Sequence, residues 1–79
     1  MDISELEQLK LIIKSLNRIY EEVEEIINQE DDTLNSLPDD EQHYSWRNLA
    51  YENVEELESV LDDLDVIIDK IRQIKENNE

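Results

Sequence analysis

Residues 5–27 read ELEQLKLIIKSLNRIYEEVEEII. The apolar side chains Leu6, Leu9, Ile12, Ile13, Leu16, Ile19, Tyr20, Val23, Ile26 and Ile27 recur in steps of three and four, the period of an α-helix with one apolar side. With Leu6 at heptad position a, Ile13, Tyr20 and Ile27 also fall at a, Leu9, Leu16 and Val23 at d, and Ile12, Ile19 and Ile26 at g. The charged residues Lys10, Lys14, Arg18, Glu21, Glu22, Glu24 and Glu25 fall at b, c, e or f. Two faces are thereby separated, an apolar stripe about three-sevenths of the circumference wide and an ionic remainder.

The second half repeats this design. With Val54 at a, Leu61 and Ile68 share that position, Ala50, Leu57, Leu64 and Ile71 occupy d, and Trp46, Val60, Ile67 and Ile74 occupy g. Glu52, Glu55, Glu56, Glu58, Asp62, Asp63, Asp65 and Asp69 keep to b, c, e and f, while Arg47 and Asp40 interrupt the a column near its start. Between the halves, Asn35 can close a helix, Ser36 and Asp39 are spaced like a capping box, and Pro38 suits a first helical turn. Asp39, Asp40 and Glu41 suit the positive end of the second helix, and Lys70, Arg72 and Lys75 its negative end. These signals predict one all-α domain over residues 1–79, with helices at about 3–31 and 38–76 and a turn at about 32–37.

A short connection between long helices implies an antiparallel hairpin. A turn centred at Leu34 to Leu37 would make facing residues sum to about 72, placing Lys10, Lys14 and Arg18 beside Glu55, Glu58, Asp62 and Asp65. The same register puts Trp46, Tyr44 and Tyr51 opposite Tyr20 and Val23. Two helices meeting alone cover a narrow a/d seam, whereas these carry broad a/d/g stripes, so a second apolar surface is expected. A homodimeric four-helix bundle supplies one. Its oligomer core is expected to contain Leu9, Ile13, Leu16, Tyr20, Val23, Trp46, Val54, Leu57, Leu61, Leu64, Ile68 and Ile71.

Composition narrows the function classes. Twenty-three acids against seven bases give a formal charge of -16, which opposes direct contact with nucleic acid or an anionic membrane. The 79 residues contain no Cys and no Gly, which excludes disulfide frameworks, cysteine-held zinc and glycine-rich phosphate loops. No secretory leader or apolar run of membrane-spanning length is visible, so a cytoplasmic location is the expectation. Asp40 and His43 are spaced i, i+3 as in some bundle metal sites, but a solvated His at a helix end is the simpler reading. Asp31-Asp32 and Asp62-Asp63-Leu64-Asp65 lack the glycine and ligand spacing of a calcium loop. Neither catalysis, a cofactor nor a metal is expected.

The acidic faces point toward a partner. A 39-residue helix is about 58 Å long, and B-DNA of that length carries about 34 charges; a dimer of this chain carries twice -16. Glu21, Glu22, Glu25, Asp31, Asp32, Glu52, Glu55, Glu56, Asp62 and Asp63 are the expected partner-binding acids, seven acids with no base lying between Glu21 and Asp32. The partner expected besides a second copy is a basic nucleic-acid-binding protein that such a surface inhibits by imitating phosphate charge. The alternative is a structural oligomerisation element whose charge only keeps it soluble.

The run from Glu30 to Pro38, followed by Ser45, Ala50, Val54, Leu57 and Leu61, resembles a loose family of short acidic helical-hairpin proteins of bacteria and phages. That resemblance covers about the last fifty residues and implies a helical hairpin, with no activity to carry over. In architecture the chain also resembles the plasmid RNA-regulating hairpin dimers, although their RNA-binding face is not recognisable here. Secreted hairpins with a Trp-x-Gly turn fit less well, because Trp46-Arg47-Asn48 lacks the glycine and falls on a helix.

Overall fold

The computed structural model describes residues 1–38 and 40–79. Among the described residues, two α-helices, α1 (Ile3–Ser36) and α2 (Tyr44–Asn77), run antiparallel, with a 3-10 turn (Glu41–His43) leading into α2. The hairpin is a rod whose Cα positions span 60 × 15 × 12 Å. At the open end the Met1 amino group donates to Asn78 Oδ1 at 3.3 Å.

Helix α1 starts at a capping box that the sequence reading passed over. The Asp2 carboxylate accepts from the Glu5 backbone N–H at 2.7 Å, and the Glu5 side chain accepts from the Asp2 N–H at 3.4 Å, so two otherwise orphaned donors are satisfied. The other end corrects the expected boundary, since α1 runs to Ser36 rather than stopping near residue 31. Asn35 stays helical, and no described residue has positive φ. Proline terminates the helix instead. Leu37 adopts φ -72°, ψ 134°, because the ring of Pro38 disfavours helical geometry in the residue before it.

The capping pair expected at Ser36 and Asp39 involves a residue outside those described, and Ser36 is itself the last residue of α1, its hydroxyl donating to the Asp32 carbonyl at 2.8 Å. Asp40 takes the capping role, its carboxylate accepting from the His43 N–H at 3.1 Å. Pro38 therefore lies in the connection rather than in the first turn of α2, which begins at Tyr44 instead of near residue 38.

These shifted boundaries move the register. Arg47 reaches the Leu37 carbonyl, Thr33 and Ala50 share one groove, and Tyr20 feels Asp62 and Asp65, which flank Leu64. Facing residues therefore sum to about 84, not 72. At that sum every a residue of one helix faces a d residue of the other, as antiparallel knobs-into-holes packing requires. In that register Leu16 falls opposite Ile68, Val23 opposite Leu61, and Ile27 opposite Leu57. The seam is thin. Ile27, Ala50 and Ile68 are its only buried side chains among the described residues, and the other apolar a and d residues remain half-buried.

Candidate interaction surfaces

Each helix presents its g column to one side of the hairpin, because g faces g across an antiparallel a/d seam. The grooves on that side confirm the placement: Ile26 lies with Val60 in one, Thr33 with Trp46 in another. Ile12, Ile19 and Ile26 from α1, with Trp46, Val60, Ile67 and Ile74 from α2, thus form one apolar face along the rod. All seven are 42–67% exposed. The contrast with the seam is sharpest between neighbours, Ile67 at 44% exposure and Ile68 at 4%. Three polar residues interrupt the face near the turn, Thr33 and Asn53 at g and half-buried Glu30 at d, and all three line its grooves.

Of the expected core set, Leu9, Ile13, Leu16, Tyr20, Val23, Val54, Leu57, Leu61, Leu64 and Ile71 are half-buried and Ile68 buried, all within the hairpin seam. Trp46 stands apart at 67% exposure, its ring making an edge contact with His43 at 5.7 Å between centroids. Trp46, Tyr44 and Tyr51 do not lie opposite Tyr20 and Val23 as expected. Trp46 sits beside Thr33 and Leu37, Tyr20 lies at mid-rod, and Tyr44 and Tyr51, at position e, are exposed on the opposite side.

All ten acids expected to meet a partner, Glu21, Glu22, Glu25, Asp31, Asp32, Glu52, Glu55, Glu56, Asp62 and Asp63, are exposed. The new register moves Lys10 away from Glu55, Glu58, Asp62 and Asp65, the α2 acids expected to neutralise it. Lys10 shares a groove with Arg72 and Lys75, like charges relieved there by Glu76, and its ion pair is with Glu7 on its own helix at 3.8 Å. Charge is therefore sorted along the rod. The half from residue 21 to residue 61, which folds back through the turn, holds fourteen acids and one base, whereas the open half holds nine acids and six bases.

Two side chains at the turn have roles that the sequence reading missed. Arg47 donates from one terminal nitrogen to the carbonyls of Pro38 at 2.7 Å and Leu37 at 3.3 Å. A guanidinium at a seam position, nine residues after the proline, was the available signal. Asp40 and His43 make a hydrogen bond of 2.6 Å between Oδ1 and Nδ1, and this bond holds the Asp40 carboxyl below its ordinary pKa, helped by the His43 backbone N–H. The pair read as spaced for a metal is thus joined in a cap, and no group of three or more metal-ligating side chains occurs among the described residues.

At mid-rod, burial raises the Tyr20 phenol above its ordinary pKa, with the carboxylates of Asp65, Glu24 and Asp62 adding to the effect. No described helix is long and apolar enough to cross a membrane. Comparison with family models, curated proteins and solved structures finds no match, so the resemblance drawn from residues 30–61 extends no further than the helical hairpin itself.

Proposed function

We propose that this chain is a non-enzymatic protein-interaction module that works as a homodimeric four-helix bundle and offers its acidic surface to a basic, nucleic-acid-binding protein. The observation that carries the first part is the exposed g column, seven apolar side chains aligned on one side of the rod. Monomeric proteins seldom leave so continuous an apolar surface in water. Sedimentation equilibrium should report twice the 9.5 kDa chain mass at micromolar concentration. Ile19→Glu with Ile67→Glu should return the protein to one chain mass while it keeps its helical signal, since both residues lie outside the a/d seam. A wild-type chain that sediments as a monomer overturns the dimer.

The axial sorting of charge supports the second part. Fourteen acids and one base occupy half of a 60 Å rod, and 30 Å of B-DNA carries about 18 phosphate charges. The acidic half thus approaches the linear charge of the duplex that a basic cleft is built to hold. Binding to basic DNA-binding domains should compete with duplex DNA and weaken steeply with salt. Charge reversal at Glu22, Glu25, Glu55 and Asp62 should lower that affinity at least tenfold with helicity unchanged. If the reversals leave binding intact while Trp46→Ala abolishes it, an aromatic-anchored contact replaces charge imitation. If no such domain binds, the scaffold reading stands, with the charge serving solubility alone.

A further inference from the structure

Two hairpins can meet face to face through their g columns in two symmetric ways, with their turn ends together or at opposite ends of the bundle. We infer that the second copy docks in reverse, its open end against the acidic turn half of the first, so that the bundle carries one acidic pole at each end. This inference rests on the homodimer proposed above. A face of 60 × 15 Å offers on the order of 900 Å², close to the roughly 800 Å² per partner of a stable interface.

Charge selects the orientation. With the turn ends together, two halves of fourteen acids and one base each would lie side by side at helix-packing distance. Reversal places each such half beside one with nine acids and six bases, among them Lys10, Lys14, Arg18, Lys70, Arg72 and Lys75. The facing net charges fall from thirteen against thirteen to thirteen against three. Each half-rod is about 30 Å long, longer than the roughly 10 Å Debye length at 0.1 M salt, so the local half-to-half repulsion decides, not the equal overall charge of the two bundles.

The seam residues agree. Glu30 is half-buried beside the g face. With turn ends together, the two Glu30 carboxylates would lie at the same level of the bundle, whereas reversal sets each against the open half of the partner. Ile19 and Val60 lie near mid-rod and stay at the centre in either arrangement. The reversed bundle is thereby a bivalent ligand, two equal acidic ends rather than one end of doubled charge.

The chain has no cysteine, so single spin labels at Asn35→Cys, near the turn, and at Ser59→Cys, near mid-rod, report the arrangement by pulsed dipolar spectroscopy on the full chain. Both positions are exposed and off the g column. At 1.5 Å rise per residue, the Asn35 labels should lie roughly 45 Å apart in the reversed bundle, with the Ser59 labels under roughly 35 Å. Asn35 labels under roughly 30 Å, with the Ser59 labels still close, would overturn the reversal while leaving the homodimer standing. Absence of a dipolar interaction at both sites would overturn the homodimer and the reversal together.

Discussion

Arg47 and Asp40 do most to shape the connection, each from a polar position beside the seam. The Arg47 guanidinium binds two carbonyls of the Leu37–Pro38 segment, groups that the end of α1 leaves without helical donors. Arg47→Ala should therefore lower stability by about 1.5–3 kcal/mol in urea unfolding, with Arg47→Lys restoring part of the loss, because hydrogen bonds to a charged group lie in that range. Asp40 offers a pH test. Its folded-state pKa is depressed by the His43 hydrogen bond, so its contribution to stability is present above the unfolded value near 3.8 and is lost as pH falls through the folded value. Asp40→Asn should lower the melting temperature at pH 6 and narrow its difference from the wild type at pH 2.

At the scale of the helix, register is the property to probe. Tyr20 on α1 is raised by burial first, then by carboxylates including Asp62 and Asp65 of α2, and those two acids come near it only when facing residues sum to about 84. A raised folded pKa means stability fully present below the unfolded value of about 10 and lost as pH rises through the folded one. Ultraviolet titration should show a phenolate forming above the ordinary tyrosine range, and Tyr20→Phe should remove that late step. Asp62→Asn with Asp65→Asn should bring it earlier; an unchanged midpoint would place α2 in another register. Within α2, Ile68→Ala should cost about 2–4 kcal/mol, since it vacates a buried seam position.

At the scale of the molecule, the rod separates an ionic exterior from an apolar face that a single hairpin does not cover. Neighbouring residues make the distinction measurable. Ile67→Ala removes the same atoms as Ile68→Ala from a side chain that the hairpin leaves 44% exposed. In a monomer it should change stability by less than about 0.5 kcal/mol. In the proposed dimer it should make the melting temperature more dependent on protein concentration, because the loss falls on association. Melting curves from 5 to 500 μM decide between these outcomes.

What the residues determined locally was legible before folding: two helices from the three-and-four spacing of Leu6 to Ile27 and Ala50 to Ile74, their polarity from the end charges, and the a/d/g division of each surface. The Asp2–Glu5 capping box was equally local and was overlooked. Register was legible only in part. The a and d columns of the two helices match whenever facing residues sum to 70, 77 or 84, since sliding one helix by a whole heptad restores the same apolar contacts. The expected sum of 72 is close to the shortest-turn solution. The tertiary structure takes the sum of 84, because Pro38 stops α1 only at Ser36, Asp40 caps the 3-10 turn, and Arg47 ties the connection to α2. Each heptad added to the sum moves the turn about three and a half residues along the chain, and that displacement brings Lys10 beside Arg72 and Lys75. Periodicity repeats every seven residues and cannot tell these layers apart; the three-dimensional closure of one short loop can.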